Sequence, residues 1–141
     1  MVSESIMTTL QRIEGYRFQV DFDVDGVPRL VVDEMQPLGE SLGPNPTRLL
    51  STAVGHCISS SLLYCLNKAR VRVKTLETTV TATVQRNEEG YLRVAGLDVQ
   101  LHLEVSEADT ARVSRCLNIF ENYCTVTQSV RQGIDVTVNI Q

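Results

Sequence analysis

From Tyr16 to Phe22 apolar and polar side chains alternate, a two-residue period that predicts a half-buried strand. Residues 5–13 read as the strand before it, with Glu14-Gly15 as the turn. Asp25-Gly26 is a strong hairpin signal, and Arg29 to Asp33 supplies a third strand. Three prolines and two glycines between Met35 and Pro46 make that stretch a loop. The period then changes. Asn45 is a good N-cap and Pro46 suits the first helical position, so a helix opens here and runs to about Asn67. From Leu49 to Asn67 it carries no Asp, Glu, Lys or Arg, and apolar or small residues occupy almost every face. A helix apolar all round is expected to be buried all round, by a sheet on one side and a second subunit on another.

Beyond Lys68 and Arg70, basic residues favourable at a helix C-terminus, Leu76 to Gln85 and Tyr91 to Val105 read as two long strands. Asn87 to Gly90 is their turn, and Gly96 marks a bulge or bend. Ser106-x-x-Asp109 resembles a capping box opening a second helix. The apolar stripe of that helix is Val113, Cys116, Leu117 and Phe120, with Cys124 next in phase. Val136 to Ile140 alternates again and is expected to close the chain as a strand. The order β-β-β-α-β-β-α-β predicts an α+β fold in a single domain, residues 1–141, with helices covering antiparallel strands.

The net charge of −4, without a Lys/Arg cluster, argues against nucleic acid as a partner. Ser51, Thr52, His56 and Ser59-Ser60-Ser61 interrupt the uncharged helix, which argues against a membrane span. The first ten residues lack the basic and apolar regions of a signal peptide, so the expected compartment is the cytoplasm. There persistent structural disulfides are unusual. With no C-x-x-C and only two distant histidines, a zinc site is not expected.

Four cysteines carry the candidate chemistry. Cys57 and Cys65 lie eight residues apart on one helix, roughly 12 Å at 1.5 Å per residue. A disulfide tolerates no more than about 7 Å between Cα atoms. The same arithmetic disfavours Cys116 with Cys124, so any disulfide must join the two helices, and Cys57 with Cys124 is one such pairing. Cys65 and Cys116 sit among Leu, Tyr and Ile and read as core. Cys57 differs, with His56 and a serine-rich turn around it. A reactive Cys57 needs something that favours its thiolate. It lies about three turns into its own helix, beyond the reach of that helix's dipole. Arg48 falls on the opposite side, about 180° away, and His56 is the weaker choice, so Arg17 on the N-terminal hairpin is the candidate cation.

Gly43-Pro44-Asn45-Pro46-Thr47-x-Leu49-Leu50, followed by Gly55-x-Cys57, resembles the signature of the OsmC/Ohr proteins, the osmotically induced and organic hydroperoxide resistance proteins. Tyr123-Cys124-Thr125-Val126 falls where that family has its second cysteine. The resemblance implies an intertwined homodimer, with antiparallel sheets wrapped around two central helices. It implies a thiol peroxidase without metal or flavin. Cys57 would be the peroxidatic cysteine, Cys124 the resolving cysteine, and Arg17 the activating arginine. Organic hydroperoxides are the implied substrates, and an external dithiol, such as a dihydrolipoyl protein, the reductant. Two departures stand out: Thr47 occupies the position of the family's glutamate, and Thr125 that of the proline after the second cysteine. They keep open an alternative, a non-catalytic dimeric protein that binds small molecules in an apolar pocket or senses redox state.

Overall fold

The computed structural model describes residues 2–141, which form two compact units, one up to Leu49 and one from Leu50 to Gln141. The first unit is a three-stranded antiparallel sheet in the order β1 (Thr9–Glu14), β2 (Arg17–Asp21), β3 (Leu30–Val32). β1 starts later than its apolar pattern predicts. Gly15 makes the first turn at φ +55°, and Gly26 the second at φ +80°, conformations glycine reaches without steric penalty. Opposed residues share a face, so Leu10, Val20 and Leu30 lie together, with Phe18 and Val32 beside them.

The loop after β3 is built on a residue that the sequence reading passed over. Asp33 is 3% exposed, and its carboxylate accepts hydrogen bonds from the backbone N–H groups of Glu34, Glu40 and Leu42 (2.8, 3.2 and 3.3 Å). Gly39 and Gly43 have no room for a side chain, because a Cβ would run into the carbonyls of Glu34 and Val31. The loop thereby delivers Asn45, whose side chain caps the following helix by accepting from Arg48 N–H at 3.0 Å.

α1 (Pro46–Lys68) opens in the last residues of the first unit, and from Leu50 on, within the second unit, it packs on the hairpin of β4 (Val73–Arg86) and β5 (Leu92–Val105). Asn87 closes the hairpin by accepting from the N–H groups of Glu89 and Tyr91, and Gly90 turns at φ +89°. The expected irregularity near Gly96 is a bulge: Thr83 opposes Gly96 but Val84 opposes Val94, leaving Ala95 over. Gly55 lets the sheet approach the helix, since a Cβ there would come within 2.8 Å of the Val80 side chain.

Within one chain α1 buries a single face, Val54, Gly55, Ile58, Ser61, Leu62 and Leu66, against Leu76, Leu97, Val99, Leu101 and Leu103. The all-round burial expected from its composition is therefore not reached here, and Thr52, His56, Ser60 and Tyr64 stay exposed. By length and composition α1 could cross a membrane; its packed face makes it the core helix of this unit. α1 ends with Arg70 in the left-handed region (φ +58°) and Val71 N–H bonded to the Leu66 carbonyl at 2.9 Å.

The segment after β5 departs most from expectation. Ser106 makes no side-chain cap, so the capping box does not form; Asp109 instead pairs with Arg112. Arg112 also donates to the carbonyls of Ala69 and Arg70, capping α1 from outside. α2 (Thr110–Ile119) stops short of Cys124: a tight turn over Phe120–Tyr123 intervenes, and α3 (Thr125–Gln132) starts anew. Val113, Cys116, Phe120 and Cys124 are buried as the stripe predicts, but Leu117 is exposed. Val136 to Ile140 forms no strand. Ile134, Val136, Val138 and Ile140 are all exposed, and the segment pairs with none of the described strands.

Candidate active site

The two helices bring the four cysteines together as two pairs. Cys65 of α1 and Cys116 of α2 form a disulfide, their Cα atoms 5.7 Å apart. The reading of both as plain core residues is corrected by this bond. They do face the core, but one helix turn of each meets the other at that point. Cys57 and Cys124 are free thiols in the same apolar cluster.

These two sulfurs are set in opposite ways. Cys57 is half-buried, and its Sγ accepts a hydrogen bond from the Val126 N–H at 3.4 Å. Val126 lies in the first turn of α3, where backbone N–H groups lack intrahelical partners and the helix dipole favours negative charge. Cys57 is remote from the start of α1 yet meets the start of α3, which exists only because the chain breaks at Cys124. No side chain signals this, since the donor is a backbone amide.

Cys124 is fully buried, and its thiol faces the Phe120 carbonyl at 3.8 Å as a donor. Burial pushes this thiol above its ordinary value. A hydrogen bond with Ser61 opposes the shift, while the nearby charges of Cys57 and Glu121 add to it and that of Arg131 subtracts.

Arg131 and Glu121 were not singled out in the sequence. Their side chains pair at 2.8 Å in the same unit as both free cysteines. An i, i+10 spacing across a helix break carries no periodic signal. They edge a cleft of about 500 Å³ lined by Leu50, Val54, Ile58, Leu97 and Val130. Thr127 also lines it; the residue is 5% exposed, and its hydroxyl has no hydrogen-bond partner.

Arg17, the remaining residue of the expected set, belongs to the N-terminal unit. There its guanidinium bridges Glu14 and Glu40 at 3.4 and 3.3 Å. Glu40 is in turn held by the bond from its N–H to Asp33. His56 is exposed on α1. Among the described residues no group of three His, Cys, Asp or Glu is placed to hold a metal ion.

The family model described as OsmC-like protein matches residues 39–139. Three solved structures illustrate the likeness in fold. An OsmC-like protein of unknown function from Vibrio cholerae is 15% identical, with 92% of this chain and 94% of that chain covered and a TM-score of 0.73. An OsmC-like protein from Mycoplasma pneumoniae is 12% identical, covering 92% and 89%, with a TM-score of 0.76. The organic hydroperoxide resistance protein OhrB of Bacillus subtilis is 18% identical, covering 94% of each chain, with a TM-score of 0.61. No curated protein matches in sequence.

Proposed function

This chain belongs to the OsmC-like family, and on that premise we propose that it is a cytoplasmic thiol peroxidase that reduces organic hydroperoxides through Cys57 and Cys124. The observation that carries the reading is the opposite setting of the two free sulfurs. Cys57 is reachable and accepts a hydrogen bond, as a nucleophilic thiolate requires; Cys124 is buried and holds its proton. The organic hydroperoxide class comes from the resistance protein of similar fold.

In the proposed cycle the Cys57 thiolate attacks the terminal oxygen of ROOH. The O–O bond breaks, the alkoxide takes a proton and leaves as alcohol, and Cys57 becomes a sulfenic acid. That step also removes the negative charge on Cys57 that helps hold the Cys124 proton. Cys124 then loses its proton and attacks the Cys57 sulfur, water departs, and a disulfide forms. An external dithiol, a dihydrolipoyl protein among the candidates, returns both thiols by exchange, supplying the two electrons. We assign Arg17 the role of a cation that favours the Cys57 thiolate. Its support is the family resemblance and the Glu14–Glu40 bracket that fixes its guanidinium.

A homodimer belongs to the same proposal. The alternating tail exposes Ile134, Val136, Val138 and Ile140, apolar surface of the kind that a second copy covers, and the exposed face of α1 through Thr52, His56, Ser60 and Tyr64 is uncharged.

The test is peptide mass spectrometry without reductant after a brief, near-stoichiometric pulse of cumene hydroperoxide. The expected result is a Cys57–Cys124 disulfide in wild type and sulfenic acid at Cys57 in Cys124→Ser. A Cys57 that stays a free thiol under the pulse overturns the peroxidase reading. One observation favours a second reading, a non-catalytic carrier of an amphipathic small molecule: the Thr127 hydroxyl, unpartnered among the described residues, in a cleft with apolar walls and the Glu121–Arg131 pair at its edge. An inert Cys57 together with saturable ligand binding that Thr127→Val weakens would select it.

A further inference from the structure

The Cys65–Cys116 disulfide floors a second cleft of about 500 Å³, on a different set of residues from the cleft beside Thr127. Its walls carry Lys68, Arg112 and Arg115 together with Tyr64 and Tyr123, and no carboxylate lines it. Arg112 is committed to Asp109 and to two carbonyls at the end of α1. Lys68 sits over the Tyr64 ring, 5.0 Å from its centre, and Arg115 is exposed with no ion pair among the described residues. The cleft therefore keeps a net positive charge beside the disulfide. Its two residues differ in exposure: Cys65 is half-buried, whereas Cys116 is 2% exposed.

We propose that this cleft is a site for a small anionic thiol, one bearing carboxylates, which exchanges with the disulfide at Cys65. Lys68 and Arg115 draw in the carboxylates, and the Tyr64 and Tyr123 rings flank the body of the ligand. The incoming thiolate forms a bond to Cys65 Sγ as the Cys65–Cys116 bond breaks. The electron pair passes to Cys116 Sγ, which takes a proton from water. The product is a mixed disulfide on Cys65 and a buried free thiol at Cys116. A second anionic thiol attacks the outer sulfur, leaves as the oxidised dimer of the thiol, and completes a two-electron reduction of the protein. Attack at Cys65 is favoured because exchange requires access to the sulfur under attack. This chemistry is independent of Cys57 and of the peroxidase proposal.

The experiment uses the full chain with Cys57→Ser and Cys124→Ser, so that only the other pair can react. Glutathione and the cationic thiol cysteamine are compared per thiolate at low salt, by intact mass and peptide mapping. Glutathione is expected to modify Cys65 about tenfold faster, the scale of one or two unscreened charge contacts in water. The advantage should shrink at high salt and reverse in Lys68→Glu/Arg115→Glu, whose changes are at exposed positions and leave the fold alone. Equal rates for the two thiols, an adduct on Cys116, or an order that the charge reversal does not change would each overturn the proposal.

Discussion

Two cysteine pairs face each other between α1 and the segment that runs from α2 to the start of α3, yet one is bonded and the other open. Cys57 and Cys65 are separated by eight residues, as are Cys116 and Cys124, so even spacing on both sides would give both pairs the same setting. The difference arises on one side only. Between Cys57 and Cys65 α1 is continuous, whereas between Cys116 and Cys124 the chain leaves α2, tightens through Phe120–Tyr123 and begins α3. Cys116 thus faces Cys65 squarely from a regular helix. Cys124 sits at a helix start, with its sulfur turned to the Phe120 carbonyl and a neighbouring amide turned to Cys57. One end of the helix pair is a cross-link that fixes the frame, and the other is a pair of thiols that the frame holds without joining.

The largest effect expected from breaking this contrast is at the cross-link. It closes a loop of 51 residues, for which the chain-entropy account gives about 4 kcal/mol. Cys65→Ala/Cys116→Ala should lower stability on that scale in denaturant melts, whereas Cys57→Ala should change it little. Equal losses from the two would erase the distinction. Next in size is Gly55→Ala, half a turn before Cys57. The added methyl meets Val80, and overpacking of this kind costs about 1–3 kcal/mol. Native-state reactivity of Cys57 toward an alkylating agent should shift in this variant, and the Cys65–Cys116 bond should survive.

A smaller effect comes from pH. The folded Cys124 thiol holds its proton more tightly than the unfolded one. Its contribution to stability is therefore fully present below the unfolded thiol value, about 8.5, and is lost as pH rises from there through the higher folded value. Chemical melts across that window should decline, and Cys124→Ala should remove part of the slope. A variant with an unchanged slope would mean that Cys124 is not the group responsible. The smallest expected change is a gain. Thr127→Val replaces an unpartnered buried hydroxyl by a methyl of the same shape, which should stabilise by about 1 kcal/mol. A loss instead would point to a partner for that hydroxyl.

Much of the fold was legible because local signals agree with the final packing. The Asn45 cap and Pro46 start α1, the Asp25-Gly26 and Asn87–Gly90 turns form, and the strands carry their two-residue period. Ser106 makes no side-chain cap: the Asp109 N–H bonds to the Ser106 carbonyl instead, and the Asp109 carboxylate, the other half of the expected box, pairs with Arg112. The tail from Val136 to Ile140 has the right pattern for a strand but pairs with none of the described strands, and pattern alone does not make a ladder. Asp33 escaped notice because one acidic residue in a loop looks like surface until three backbone amides close around it.

The sequence by itself determined the element order as far as β5, the α+β class, the uncharged character of α1 and the rule that any disulfide must cross between helices. These follow from periodicity, turn chemistry and the rise of a helix, all of which act over a few residues. The tertiary structure alone decided that Cys65 bonds to Cys116 while Cys57 and Cys124 stay apart, and that the start of α3 faces Cys57. Pairing depends on where two helix faces meet. That register is fixed by the packing of Val54, Ile58 and Leu62 against the hairpin and by a break in the chain at Cys124, and neither is written in the spacing of the cysteines.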